Sequence, residues 1–271
     1  MLGKLIKHEF RATGRIMLPL YLVLLASAVG ANAATRGLLE TDFWFFDLLG
    51  SLLVMFFFLA IFGVFIESFV LMVQRFYKNL LQDEGYVMLT LPVSVHQHIW
   101  SKLIVSAVWF VLTGAVVILA SCVMAFDLHV IADIWRGFST ILEDLHKITA
   151  YYAINGAAFL AELGAICFLA LAAMCVQFYA ALAVGHSAAN HKMAWSVAAF
   201  FAMLFMIQTL MGSAMITLDK LNLFAFLPSF HIGGMAAVHL GMLFLACIFL
   251  IYGAIFYWIT VYFLKRRLNL E

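Results

Sequence analysis

Six runs of predominantly apolar residues, each long enough to cross a bilayer, decide what this chain can fold into. They lie near Ile16–Ala34, Leu48–Val73, Leu103–Phe126, Tyr152–Val184, Ala194–Thr217 and Ala237–Leu264. About 20 apolar residues in helical form span the hydrocarbon of a membrane. A soluble core of this size would not need Leu, Phe and Ala on every face of its helices. Charged residues make up 11% of the 271, against about 25% in a soluble domain, and the mean hydropathy is +1.09. The expected fold is all-α: a single polytopic membrane domain of six transmembrane helices, with the lipid bilayer as its surroundings. The fourth run, about 50 Å long if helical throughout, must tilt, kink or project beyond the membrane.

The net charge of +1 sorts by topology rather than into one patch, so it gives no indication of a nucleic-acid partner. Lys4, Lys7, Arg11, Arg15, Arg75, Lys78, Lys102, Lys192, Lys265, Arg266 and Arg267 fall on one side of the six runs. Arg36, Arg136, Lys147 and Lys220 fall on the other, with most of the acidic residues. The positive-inside rule then places both termini in the cytoplasm. Before the first run, Leu2, Leu5, Ile6 and Phe10 recur at helical spacing opposite Lys4, Lys7, His8 and Arg11. This predicts an amphipathic elbow helix over residues 2–13 on the membrane surface, ended by Gly14, with Pro19 in the first turn of the next helix. Ile16–Val29 followed by Ala31-Asn32-Ala33 also mimics a secretory signal with its cleavage site. The long polar lead and the five further runs favour a retained first span.

Between the third and fourth runs, the polar stretch Asp127–Ala150 with Trp135 predicts a short interfacial helix. Thr217–Ala236, with Pro228, Gly233 and Gly234, is too apolar for a solvated loop and suits a re-entrant or interfacial piece. Small residues at four-residue spacing, Ala157/Ala161/Ala165 and Gly233/Ala237/Gly241, allow close helix approach within the chain or across a dimer.

Little in the chain reads as catalytic. Cys122, Cys167, Cys175 and Cys247 lie inside apolar runs without CxxC spacing, so neither a disulfide framework nor a metal site is indicated. The sequence lacks a G-x-x-x-x-G-K-[ST] phosphate loop, an H-E-x-x-H pair and a G-x-S-x-G turn. The chain is therefore expected not to be an enzyme and to hold no cofactor or metal of its own. Polar residues inside apolar runs are the remaining candidates, because charge at depth is costly. Glu67 in the second run and Glu162 in the fourth stand out, the latter with Asn155 nearby and Gln177 further along. Glu67 suits an interfacial carboxylate equally well, and Glu162 a structural interhelical hydrogen bond.

The longest break in hydrophobicity on the cytoplasmic side is Arg75–Lys102. It carries Arg75, Lys78, Asp83, Glu84 and Lys102, with His96 and His98. Glu84-Gly85 predicts the end of a helix, Pro92 a break, and Ser94 with Gln97 a capping box that starts the next helix. Tyr86, Met88 and Leu89 among charges have the make-up of a docking element, an apolar anchor ringed by polar groups. A tight connection between spans explains the same residues.

The KLIKHEF start, the six spans and the segment FYKNLLQDEGYVMLTLPVS…SKL over Phe76–Lys102 together resemble the type-2 ATP-binding-cassette (ABC) transporter permeases of Gram-positive bacteria. Asp83-Glu84-Gly85-Tyr86 and Thr90-Leu91-Pro92 carry the specific part. The resemblance implies a permease subunit of an ABC exporter in the bacterial plasma membrane, dimeric with a second copy or a paralogue. It implies that Gln82, Asp83, Glu84, Gly85, Tyr86, Met88 and Leu89 form the coupling helix seated in a separately encoded ATPase subunit, which would bind the ATP. A hydrophobic or amphipathic cargo, such as an antimicrobial peptide or lipid-like molecule, suits the apolar spans, as lipid contact also does. Two other classes remain open: a proton-coupled secondary transporter using Glu67 or Glu162, and a non-transporting membrane sensor or immunity protein.

Overall fold

A computed structural model of the chain describes residues 2–36, 44–82, 85, 90, 92–126, 128–151, 156–188, 190–220 and 234–266. Most of the described residues are helical and none lies in a strand; the long helices in chain order are α1 (Leu2–Thr35), α2 (Trp44–Leu81), α3 (Val95–Met124), α4 (Leu128–Tyr151), α5 (Gly156–Gly185), α6 (Lys192–Lys220) and α7 (Gly234–Arg266). All but α4 are long and apolar enough to cross a membrane. Large apolar side chains stay exposed along them, Phe56, Phe62, Phe205 and Phe244 among them. Only lipid or another membrane helix accepts such surfaces, so the architecture is that of a multi-pass membrane protein.

Two compact units divide the chain, one of Met1–Arg75 with Gln97–Leu142 and one of Phe76–His96 with Glu143–Glu271. The first is built on a repeat written in the sequence. Met17, Tyr21, Leu24, Ala28 and Ala31 of α1 pack with Phe57, Val64 and Leu71 of α2 and Val105, Trp109 and Ala120 of α3. Spacings of three, four, seven and eleven keep one stripe of each helix turned inward, the arrangement that lets helices pack side by side.

The predicted end of an elbow at Gly14 is absent, for α1 runs unbroken from Leu2 through Pro19. Gly14 lies inside the helix beneath Trp109, where a Cβ would make an ordinary contact with the ring at 3.6 Å. Pro19 takes an interior position, where it leaves the Arg15 carbonyl without its helical partner. Where a short helix is expected, Leu128–Tyr151 likewise forms the 24-residue α4.

In the second unit α5 packs chiefly on α7 and next on α6. Two contacts in this unit use small residues other than the ladders singled out above. A Cβ on Gly253 of α7 would sit 3.7 Å from that of Ala173 on α5. Ala157, Ala161 and Ala165 face outward and Gly241 has open space where a Cβ would be, while Gly233 lies outside the described residues. Gly185 at the end of α5 is tighter still, because a Cβ there would collide with the backbone of Ser196 in α6. α5 starts at Gly156 and its 30 residues make it about 45 Å long. Most of the 217–236 segment lies outside the described residues.

Candidate functional site

In the first unit the inward stripe of α1 continues toward the N-terminus with polar residues. Glu9 and Thr13 precede Met17 at intervals of four, so they face the same neighbours. Lys102 of α3 donates to Glu9 Oε1 at 2.6 Å, with side chains only 2% and 10% exposed. One turn further in, Thr13 donates to the Glu9 carbonyl at 2.8 Å and accepts from Trp109 Nε1 at 2.7 Å. Deeper, Thr113 joins three helices, sharing hydroxyl hydrogen bonds with Tyr21 at 2.8 Å and Ser68 at 2.7 Å. At the far end Asn32 donates to the Met124 carbonyl at 2.9 Å and that of Phe126 at 3.1 Å. A small recess of about 10 Å³ opens beside the ion pair, lined also by Arg75 and Ser106. It has room for about one water molecule.

Sequence reasoning missed this network. Lys102 was expected only as a topological charge, and Glu9 not at all. The partners stand 93 residues apart, so no local spacing announces them. The one available signal is a carboxylate placed among Lys4, Lys7, His8 and Arg11.

The second unit holds two polar rungs between α5 and α7. Glu162 pairs with His239, whose Nδ1 lies 2.9 and 2.8 Å from the two carboxylate oxygens. Fifteen residues along α5, Tyr252 of α7 donates to Gln177 Oε1 at 2.6 Å. Gln177 is buried, and its Nε2 has no hydrogen-bond partner among the described residues. The rungs are about 22 Å apart at the rise of a helix, too far for one to hand a proton to the other directly. Asn155 lies outside the described residues. Glu67 sits half-buried on α2 in the first unit and shows no polar partner among the described residues.

The segment 76–96 belongs to the second unit and is held there at both ends. α2 has 38 residues, about 57 Å, well beyond a hydrocarbon thickness of about 30 Å. Its last turns carry Phe76, which stacks on Tyr179 of α5 with centroids 4.2 Å apart, and Tyr77, which meets the His186 ring edge-on at 5.0 Å. Phe76 and Tyr179 are fully buried. At the other end His96 bridges to α7. Lys265 Nζ lies 3.3 Å from Nε2 and Tyr257 Oη 2.6 Å from Nδ1. An ammonium has no acceptor, so Nε2 accepts and Nδ1–H donates to the tyrosine oxygen.

Between these anchors α2 ends at Leu81, and the Gly85 N–H donates to the Gln82 carbonyl at 2.7 Å. Pro92 and Val93 are non-helical, and α3 begins at Val95, directly after Ser94. Gln82 is exposed and Gly85 buried; Asp83, Glu84, Tyr86, Met88 and Leu89 lie outside the described residues.

His186 lies just past α5, buried, with Nδ1 3.0 Å from the Leu182 carbonyl. Burial pushes its pKa down and the nearby Lys192 ammonium adds to this, while the hydrogen bond to Leu182 opposes both. The described residues hold no cluster of three or more His, Cys, Asp or Glu fit for a metal ion. No family model matches the chain, and neither a curated protein nor a solved structure matches it.

Proposed function

We propose that the chain is the membrane-spanning permease subunit of an ABC exporter in a bacterial plasma membrane. It would work with a separately encoded ATPase and with a second permease copy or a paralogue. The observation that carries this reading is the segment 76–96. Its sequence resembles the coupling segment of such permeases, and it is anchored at one end on α5 through Phe76 and Tyr77 and at the other on α7 through His96. A force applied by a partner to residues 82–89 then has two rigid attachments through which to move α5 and α7 as bodies. ATP binding belongs to the partner, and this chain supplies the lever and the pathway.

The reading is tested with Tyr86→Ala and with charge reversal at Asp83 and Glu84. These variants should insert and fold as the parent does but lose the ATPase during purification, or lose substrate-stimulated ATP hydrolysis. Normal co-purification together with normal stimulation would remove Gln82–Leu89 from the coupling role.

One observation favours a second reading, a proton-coupled carrier. Glu162 and His239 form an ionisable pair between two apolar helices, where a charge is costly unless it has a use. That reading requires transport by the purified chain alone in liposomes under a pH gradient, abolished by Glu162→Gln.

A further inference from the structure

Helix α4 is the strongly amphipathic member of the set, and the chain on either side of it indicates what covers its apolar face. At 100° per residue, Trp135, Phe138, Ile141 and Leu142 fall within a stripe about 120° wide. Asp133, Arg136, Thr140, Glu143, Asp144 and Lys147 fall on the opposite side. The described residues leave the stripe uncovered, for Trp135 is 68% exposed, Phe138 51%, Ile141 65% and Leu142 44%. The polar face pairs largely with itself, Arg136 with Asp133 at 3.4 Å and Lys147 with Asp144 at 3.2 Å.

Connectivity limits where such a helix can go. Three residues separate α3 from α4 and four separate α4 from α5, and both neighbours have membrane-crossing length and composition. At 24 residues α4 is about 36 Å long. Were it to stand away from the membrane, its C-terminus would end at about that height, and the five steps from Tyr151 to Gly156 reach about 18 Å at full stretch. Were it to cross, five charged side chains would enter the bilayer, each costing about 3 kcal/mol near its centre. Lying along the membrane face avoids both.

We propose that α4 is an in-plane helix whose Trp135, Phe138, Ile141 and Leu142 form a lipid-binding surface seated at the boundary of headgroups and acyl chains. The inference does not depend on the ATPase reading; it rests on the six apolar helices crossing a membrane. With three carboxylates against two cations on the polar face, attachment comes from apolar burial. Anionic lipid is therefore not required, and salt does not release the helix.

The test is a set of single-cysteine variants at Trp135, Phe138, Ile141 and Leu142 and at Asp133, Thr140 and Glu143. The four native cysteines are replaced by Ala, and the protein is held in phosphatidylcholine nanodiscs. Stripe positions should react with a membrane-impermeant maleimide about tenfold more slowly than the opposite face, and fluorophores there should be quenched by nitroxide-labelled lipid. Equal reactivity around the helix overturns the proposal. So does slow reaction without lipid quenching, which would mark a protein partner as the cover. Phe62→Cys on α2 is the control: if that position also escapes quenching, the membrane assignment itself fails. Should the cysteine-free chain not fold, brominated phosphatidylcholine should quench a component of native tryptophan emission that Trp135→Phe removes, and the absence of that component overturns the proposal equally.

Discussion

Lys102 shows how one residue type supports two different arguments. Counted as a charge it belongs to the basic side of the membrane; as a side chain it is sealed against Glu9 and all but hidden from solvent. A buried pair of this kind contributes little relative to an apolar pair of the same shape, yet removing one partner strands a charge. Glu9→Ala is therefore expected to cost about 3 kcal/mol, seen as a lowered thermal midpoint in detergent, and Glu9→Leu with Lys102→Met should recover most of it. An unchanged midpoint in Glu9→Ala alone would mean that the pair does not hold α1 to α3. His186 gives the matching statement for pH. Its folded pKa lies below its unfolded value of about 6.5, so the unfolded chain binds the proton more readily. Stability is then full above about pH 6.5 and falls as pH drops from there toward the folded pKa. His186→Gln should flatten that part of the pH–stability profile. A variant that keeps the parent's slope would assign the titration to another group.

Among the elements, the contact of α5 with α6 is the most sensitive to a single atom. A methyl group on Gly185 would meet Ser196 backbone, which cannot swing aside as a side-chain tip can. Gly185→Ala is expected to destabilise by about 1–3 kcal/mol and to lower the thermal midpoint, whereas Gly63→Ala, with open space at its Cβ, should not. Equal midpoints for the two variants would contradict the close packing. Helices were the legible level of this chain, because a run apolar on every face leaves the backbone one way to satisfy itself in lipid. The restart of α3 after Ser94 was legible too, through Pro92 and the capping residues. The boundary at Gly14 was not. A glycine often marks a helix end, but Gly14 lies inside a continuous helix beneath the Trp109 ring, and only the fold distinguishes the two. The pairings of Glu9 with Lys102 and Glu162 with His239 were illegible for the same reason, since each joins residues that only packing brings together.

At the scale of the molecule, the six apolar helices make a multi-pass membrane protein, and the segment 76–96 distinguishes it from a generic bundle. The Phe76–Tyr179 stack and the His96 bridge attach that segment to the second unit at two points. We propose that this segment couples the chain to a separately encoded ATPase. The direct measurement is purification of the native chain in mild detergent or nanodiscs, with identification of every stoichiometric companion and assay of ATP hydrolysis. An ABC-type ATPase should be retained on the chain, with hydrolysis lost when Asp83 and Glu84 are reversed in charge. A chain that purifies without an ATPase and transports alone in liposomes under a pH gradient would contradict it.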